Sequence, residues 1–357
     1  MQLRDSVENL SSPDDSGGAP EGVSRRRWLV AQIGALVHMI DCKHHYKRLP
    51  CIVLLLLLTG CGQGGGGTPY VPSESECAPT APLREAGDFV VVPAEELAGD
   101  ELLTKSFSSH ALATANVCGL VPLLRSFCRE PQDSLRRVEL RQKVAERLAV
   151  ISLEVAGTAA VLDCEEERAD QIADYLLDVA NTRIKNLTLV SVLLGALGTV
   201  VTGALALWNV DRRIYRSLGI LFGLAVAAIG LNALRSGQAD VHYTHRRNPL
   251  AELYRQPAHP EAFPAAVWSY LNRPGNRDGE SESLRERLLD RWQRSGELGA
   301  KSQAERERLM NLLFGPGGAY RAGELHMRAN FFDQLESYVN LMKHDVQHLA
   351  REFAEQG

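Results

Sequence analysis

The chain of 357 residues is poor in the features that mark most catalytic and nucleic-acid-binding proteins. Aromatic residues make up 6% of it and the formal net charge is −5. A mildly acidic chain without a long basic run lacks the electrostatic footprint of a nucleic-acid binder, and the scarcity of aromatics removes base-stacking platforms. No C-x-x-C pair occurs, which argues against zinc knuckles and thioredoxin-like redox chemistry. Neither a phosphate-cradling glycine loop nor a nucleophile-elbow sequence occurs. Proline is missing from 132 to 248, which leaves room for uninterrupted helices.

Against these absences stand three apolar runs. The first, Ile52 to Leu58, follows Lys43, Lys47 and Arg48 and closes on Leu58-Thr59-Gly60-Cys61. It is too short to span a bilayer, which takes about 20 apolar residues. A basic lead, a short apolar core and small residues before a cysteine form an export signal. This order resembles the signal peptide and lipobox of bacterial lipoproteins. The resemblance implies cleavage before Cys61 and lipid on Cys61. It covers that segment alone and implies no activity. Met39 precedes the basic cluster, so residues 39–60 form a signal of normal length and residues 1–38 read as a leader upstream of the true start. The rival reading makes 28–40 an interfacial helix led by Arg25, Arg26 and Arg27.

The second and third runs, 187–208 and 217–234, carry no charge and approach the length that a hydrocarbon core demands. Trp208 and Tyr215 fall at their ends, where amphipathic rings favour the headgroup layer. The expected element is a transmembrane hairpin. Lipid at Cys61 would place both flanks in the periplasm and the turn 209–216, with Arg212, Arg213 and Arg216, in the cytoplasm, as positive-inside bias requires. Gly195, Thr199 and Gly203 recur every four residues, and Gly219 and Gly223 repeat that spacing. Small residues so placed let helix backbones approach, either within one hairpin or between hairpins. No ionisable residue interrupts either run, which argues against an ion path. Gly62 after the cysteine would permit transfer to the outer membrane, but two apolar spans favour retention in the inner one.

Elsewhere the pattern predicts an all-α architecture. Residues 61–86 form a Gly/Pro/Ser tether. Residues 87–132 are mixed, with a short strand expected at Phe89–Val92 and short helices from Asp100 to Cys128. Over 133–186, capped at Asp133 or Ser134, apolar residues recur at Leu140, Val144, Leu148, Ile151, Val155 and Leu162, then Ile172, Leu176 and Val179. One or two long helices are expected there, kinked at Gly157. Residues 235–280 read as irregular, docked by Trp268, Tyr270 and Leu271. Residues 281–357 form a C-terminal helical domain, separated internally by the Gly315-Pro316-Gly317-Gly318 turn. Its stripe Phe332, Leu335, Val339, Met342, Val346, Leu349 and Phe353 serves either a core helix or a coiled-coil seam with a partner.

Few residues invite chemistry. In an oxidising compartment Cys77, Cys118, Cys128 and Cys164 are disulfide candidates. One pairing joins Cys118 to Cys128 and Cys77 to Cys164; free buried thiols are the alternative. His344 and His348 stand at i and i+4 but lie opposite the apolar stripe, so a solvated face outweighs a zinc site. His242 and His245 follow the second span as an interface anchor or, less plainly, a metal or pH-sensing pair. Ser109 and His110 are adjacent, which does not make a triad. Glu165, Glu166 and Glu167 diverge around a helix. The expected function is therefore a non-enzymatic, cofactor-free scaffold or interaction protein of the inner membrane, binding a protein partner or a second copy. A membrane-active oligomer of glycine-rich hairpins comes second and a metal-dependent hydrolase a distant third.

Overall fold

A computed structural model describes residues 77, 89–235, 239–274, 282–294, 298 and 301–356. The lipobox, Cys61 and most of the tether lie outside the described residues. The chain is mostly helical. Four short helices come first among the described residues: α1 (Ala94–Ala98), α2 (Glu101–Ser106), α3 (Ser109–Val117) and α4 (Val121–Arg129). Residues 89–92 are not a strand: Val92 N donates to Asn116 Oδ1 and Asn116 Nδ2 returns a bond to Val92 O. A side-chain amide thus supplies the pairing a neighbouring strand would have given.

The dominant element is α5 (Leu135–Leu207), 73 residues in one helix and about 110 Å long at 1.5 Å per residue. Ser134 caps it, its Oγ accepting from Arg137 N at 3.1 Å. Of the one or two long helices expected, there is one, and it runs through Gly157 without a break. A Cβ at Gly157 would meet nothing, and with i→i−4 bonding intact on both sides a lone glycine costs only about 1 kcal/mol. A tight turn at 208–211, with Asn209 at φ 52°, leads into α6 (Arg212–Arg235). The turn is therefore shorter than the expected 209–216. Arg212, Arg213, Tyr215 and Arg216 already belong to the second helix, whose first turn is anchored by Arg213 N donating to Asp211 Oδ1.

Beyond the hairpin lie β1 (Asp240–Thr244), α7 (Pro249–Arg255), α8 (Ala265–Asn272), α9 (Leu284–Arg294), α10 (Gln303–Leu313), β2 (Gly317–Arg321) and α11 (Ala322–Glu355). The two strands pair antiparallel, with Val241 opposite Tyr320 and Thr244 opposite Gly317. This ribbon departs from the all-α expectation. Val241 and Tyr243 point inward while Asp240, His242 and Thr244 face out, the alternation a half-buried strand requires. Gly317, at φ +91°, admits no side chain because its Cβ would collide with the Tyr243 carbonyl oxygen.

The core is built where α11 (34 residues) lies along about the first half of α5 (73 residues). The pair is antiparallel: Asp170 meets His326 near the start of α11, and Arg137 donates to Gln356 O at its end. Leu140, Val144, Ile151, Val155, Leu162 and Ile172 bury one stripe of α5. The stripe Phe332, Leu335, Val339, Met342, Val346, Leu349 and Phe353 is buried throughout, none more than 5% exposed. It is a core face spent inside the molecule, not a free coiled-coil seam. Burying each such side chain contributes about 1.5–3 kcal/mol.

Candidate functional site: the apolar hairpin and the polar clusters of the body

The C-terminal end of α5 and nearly all of α6 are long and apolar enough to cross a membrane. Only 6% and 11% of their most apolar windows are buried in the molecule. Leu189, Val192, Leu193, Leu197, Val200, Ile220 and Leu224 are exposed. Large exposed apolar surface is uncommon on soluble proteins, and this exposure accords with a membrane location.

The two apolar helices meet along a seam set by three contacts. A Cβ on Gly195 would sit 3.9 Å from Val226, one on Gly198 2.8 Å from Phe222, and one on Gly219 3.7 Å from Thr202. Each pair sums to about the same residue number, as an antiparallel hairpin requires. The tightest approach is at Gly198, which the four-residue pattern missed. Gly195 and Gly219 lie on the seam as expected. Thr199 is exposed and its hydroxyl returns to Gly195 O at 3.0 Å, while Gly203 and Gly223 have nothing within 4 Å. The packing stripe is Gly195, Gly198 and Thr202. Alternating steps of three and four keep a straight helix facing its partner better than a strict four.

Among the described residues, three of the polar clusters outside the apolar segments involve the candidate residues. Around β1 and β2, Tyr320 Oη donates to Leu312 O at 2.7 Å and lies 2.8 Å from His245 Nε2. The hydroxyl has one hydrogen and the carbonyl takes it, so His245 Nε2–H donates to Tyr320. Burial, then the charges of Arg328 and Arg168, push the His245 imidazole down to about 2; it is neutral. Arg328 is fully buried against the Phe332 ring, and its Nη1 reaches Asn248 Oδ1 and Leu313 O. His242 faces out, so the two histidines do not converge.

At the second cluster Asp345 gathers His110 Nε2 (3.2 Å), Tyr270 Oη (2.8 Å) and Arg273 Nη2 (2.7 Å). Ser108 Oγ donates to Glu352 Oε1, and His348 Nδ1 lies 3.2 Å from the same carboxylate. Ser108, the residue before the Ser109–His110 pair, is thus committed to a carboxylate. His344 and His348 are both exposed, as their angular position on α11 dictates.

At the third cluster Asp163, Glu166 and Glu336 bring carboxylate oxygens within 4.8 Å of one another. Burial, then Asp333, Asp170, Glu336 and Asp163, push the Glu166 carboxyl up to about 7. The three consecutive glutamates diverge: Glu165 pairs with Arg168 at 2.7 Å and Glu167 accepts from Gln171. The convergence of Glu166 with Glu336 joins residues 170 apart, which no local spacing signals.

Cys77 and Cys164 form a disulfide. Cys118 and Cys128 remain free thiols, so the pairing between them is not made. Cys118 is sealed at the end of α3 beside Arg273 and Arg147, whereas Cys128 on α4 looks toward Ser106 and Arg137. Burial pushes the Cys118 thiol up to about 12, leaving it protonated and inert. Comparison with protein-family models, curated proteins and solved structures finds no match, so residues and geometry carry the functional reading.

Proposed function

We propose that the chain is a non-enzymatic, membrane-anchored scaffold or interaction protein of the bacterial envelope. Its hairpin sits in the inner membrane, Cys61 bears lipid, and the flanking helical segments are periplasmic and engage a protein partner or a second copy. The observation that carries this reading is the continuity of α5. One helix passes from the exposed apolar hairpin into the core of the folded body, so a load or displacement at the membrane is transmitted with no loop to absorb it. A second reading, an oligomer of hairpins that perturbs the bilayer, draws support from the open space around Gly203 and Gly223, where another helix would fit closely. The exposed positions of His344 and His348 give the hydrolase reading no such support.

Membrane fractionation with palmitate labelling tests the anchor. Label in the inner membrane that disappears in Cys61→Ser supports it; recovery of labelled protein in the outer membrane overturns the topology. Crosslinking in intact cells then separates the two readings. A heterologous adduct favours the scaffold, and a ladder of homo-oligomers abolished by Gly203→Leu with Gly223→Leu favours the hairpin assembly.

A further inference from the structure

The face of α5 opposite its buried stripe is exposed along the folded body and falls into two zones. Between Arg147 and Asp163 the only charged residue is Glu154, which is half-buried. Ala145, Ala149, Leu153, Ala156 and Ala160 are all exposed, Leu153 at 72%, and a Cβ on Gly157 would meet nothing. They recur in steps of three and four, so they line up as one outward stripe of small and apolar side chains. Toward the membrane the stripe changes character. Asp163, Glu167, Asp170, Asp174 and Asp178 extend it at the same spacing, all exposed except the half-buried Asp170. No Lys or Arg of α5 answers them on that face: Arg168 is buried with its Nη2 on Glu165, and the next is Arg183. Among the described residues His326 alone pairs with the row, with Asp170 at 2.9 Å and Asp174 at 3.8 Å.

Shape and charge together choose the occupant. Small side chains admit another helix at close range, and from Ala145 to Asp178 the stripe runs roughly 50 Å at 1.5 Å per residue. Exposed apolar surface beside it adds Val150 at 45%, and a contiguous patch of this kind marks an interaction site. Carboxylates four residues apart on one helix repel each other, as Asp163 with Glu167 and Asp170 with Asp174 must, and a basic neighbour relieves that repulsion. A second copy does not. Hairpins in one membrane hold two α5 helices parallel, which sets carboxylates against carboxylates. Charge complementarity therefore favours a different chain.

We infer that this face docks a helix of another protein, apolar where it meets Ala149 to Ala160 and rich in lysine or arginine where it meets Asp163 to Asp178. The docked helix gives the scaffold reading, on which this rests, a surface and a partner chemistry. Its polarity is set as well. Because α5 runs into the hairpin at its C-terminal end, the partner's basic half lies toward the membrane and its apolar half away from it.

Photocrosslinking in intact cells tests it, with benzoylphenylalanine placed in the full chain at Leu153 or Asp174. Ala156 and Asp178 serve instead where a thermal melt shows that a substituted chain misfolds. Both sites should capture the same protein. Mass spectrometry should place the Leu153 adduct in the apolar half, and the Asp174 adduct in the basic half, of one of its helices. With the probe at Leu153, Asp174→Lys with Asp178→Lys should cut the adduct at least fivefold, a loss that a purely apolar contact would not show. Different proteins at the two sites, a captured helix without the basic half, no adduct at either site, or a Leu153 yield unmoved by the charge reversal overturns the docking. An adduct to a second copy, or within the same chain, names another occupant and overturns it too. Fractionation of the same cells reports separately on the scaffold reading: chain recovered in the soluble fraction overturns the anchor, whatever the crosslinks show.

Discussion

Tyr320 shows how much a single side chain can organise. It pairs across the ribbon with Val241, fixes the tautomer of His245 and satisfies the last turn of α10 through Leu312 O. Burial holds its phenol protonated, pushed up to about 12, so the hydroxyl stays a donor. Tyr320→Phe leaves the His245 Nε2–H without an acceptor and Leu312 O without this donor. The expected loss is about 1–3 kcal/mol, read by thermal or urea unfolding in detergent; a change below about 0.5 kcal/mol would show the network to be slack. Nothing in the sequence announced this role. Tyr320 lies 75 residues from His245, and the segment between Phe314 and Gly323 presented itself only as a glycine-proline turn. The same limit hid the acidic cluster, where Glu166 and Glu336 meet across two helices. Cys77 with Cys164 was one of three connectivities, and only the placement of Cys118 and Cys128 against different neighbours separates them.

At the scale of elements, long periodic segments were legible and their mutual faces were not. The three-four stripes of α5 and α11 and the uncharged runs of the hairpin are written locally, because burial on one helix face needs no knowledge of the partner. Ribbon pairing needs a partner some 80 residues away, as Val241 with Tyr320 illustrates. The hairpin seam falls between these cases: small residues were evident, but two overlapping stripes shared Gly195, and the contact of Phe222 decides which is used. This gives a sharp contrast between glycines of one helix. Gly198→Ala sets a Cβ within 3 Å of the Phe222 ring root, an overpacking expected to cost about 1–3 kcal/mol and to be relieved in part by Phe222→Ala. Gly203→Ala meets open space and should be neutral or stabilising, by up to about 1 kcal/mol. Denaturation of the detergent-solubilised protein by a graded fraction of dodecyl sulfate measures both. Equal effects would mean that the seam runs along the four-residue stripe after all.

For the molecule as a whole, two titrations of opposite sign, one at the half-buried Glu166 and one at the buried His245, bear on stability. Glu166 is raised to about 7 in the folded state against an ordinary 4.5, burial being the main cause and Asp333, Asp170, Glu336 and Asp163 the rest. Its contribution is complete below pH 4.5 and is lost as the pH rises through 7, because the native state then holds a proton the unfolded chain gives up. His245 is lowered to about 2 against 6.5 by burial and then by Arg328 and Arg168. Its contribution is complete above pH 6.5 and declines as the pH falls below that value. Between pH 4.5 and 6.5 the two slopes oppose each other. Glu166→Gln removes one of them, so the melting temperature of the variant relative to wild type should be level below pH 4.5 and climb from there to pH 7.5. A difference that does not change with pH would mean that the cluster is more open to water than its geometry indicates. The two groups act on different joints of the body. Glu166 bears on the contact of α5 with α11, while His245 bears on the ribbon that follows the hairpin. Acid should therefore loosen the ribbon while it tightens the long helix pair, so the body can respond to pH without releasing the helix that runs into the hairpin.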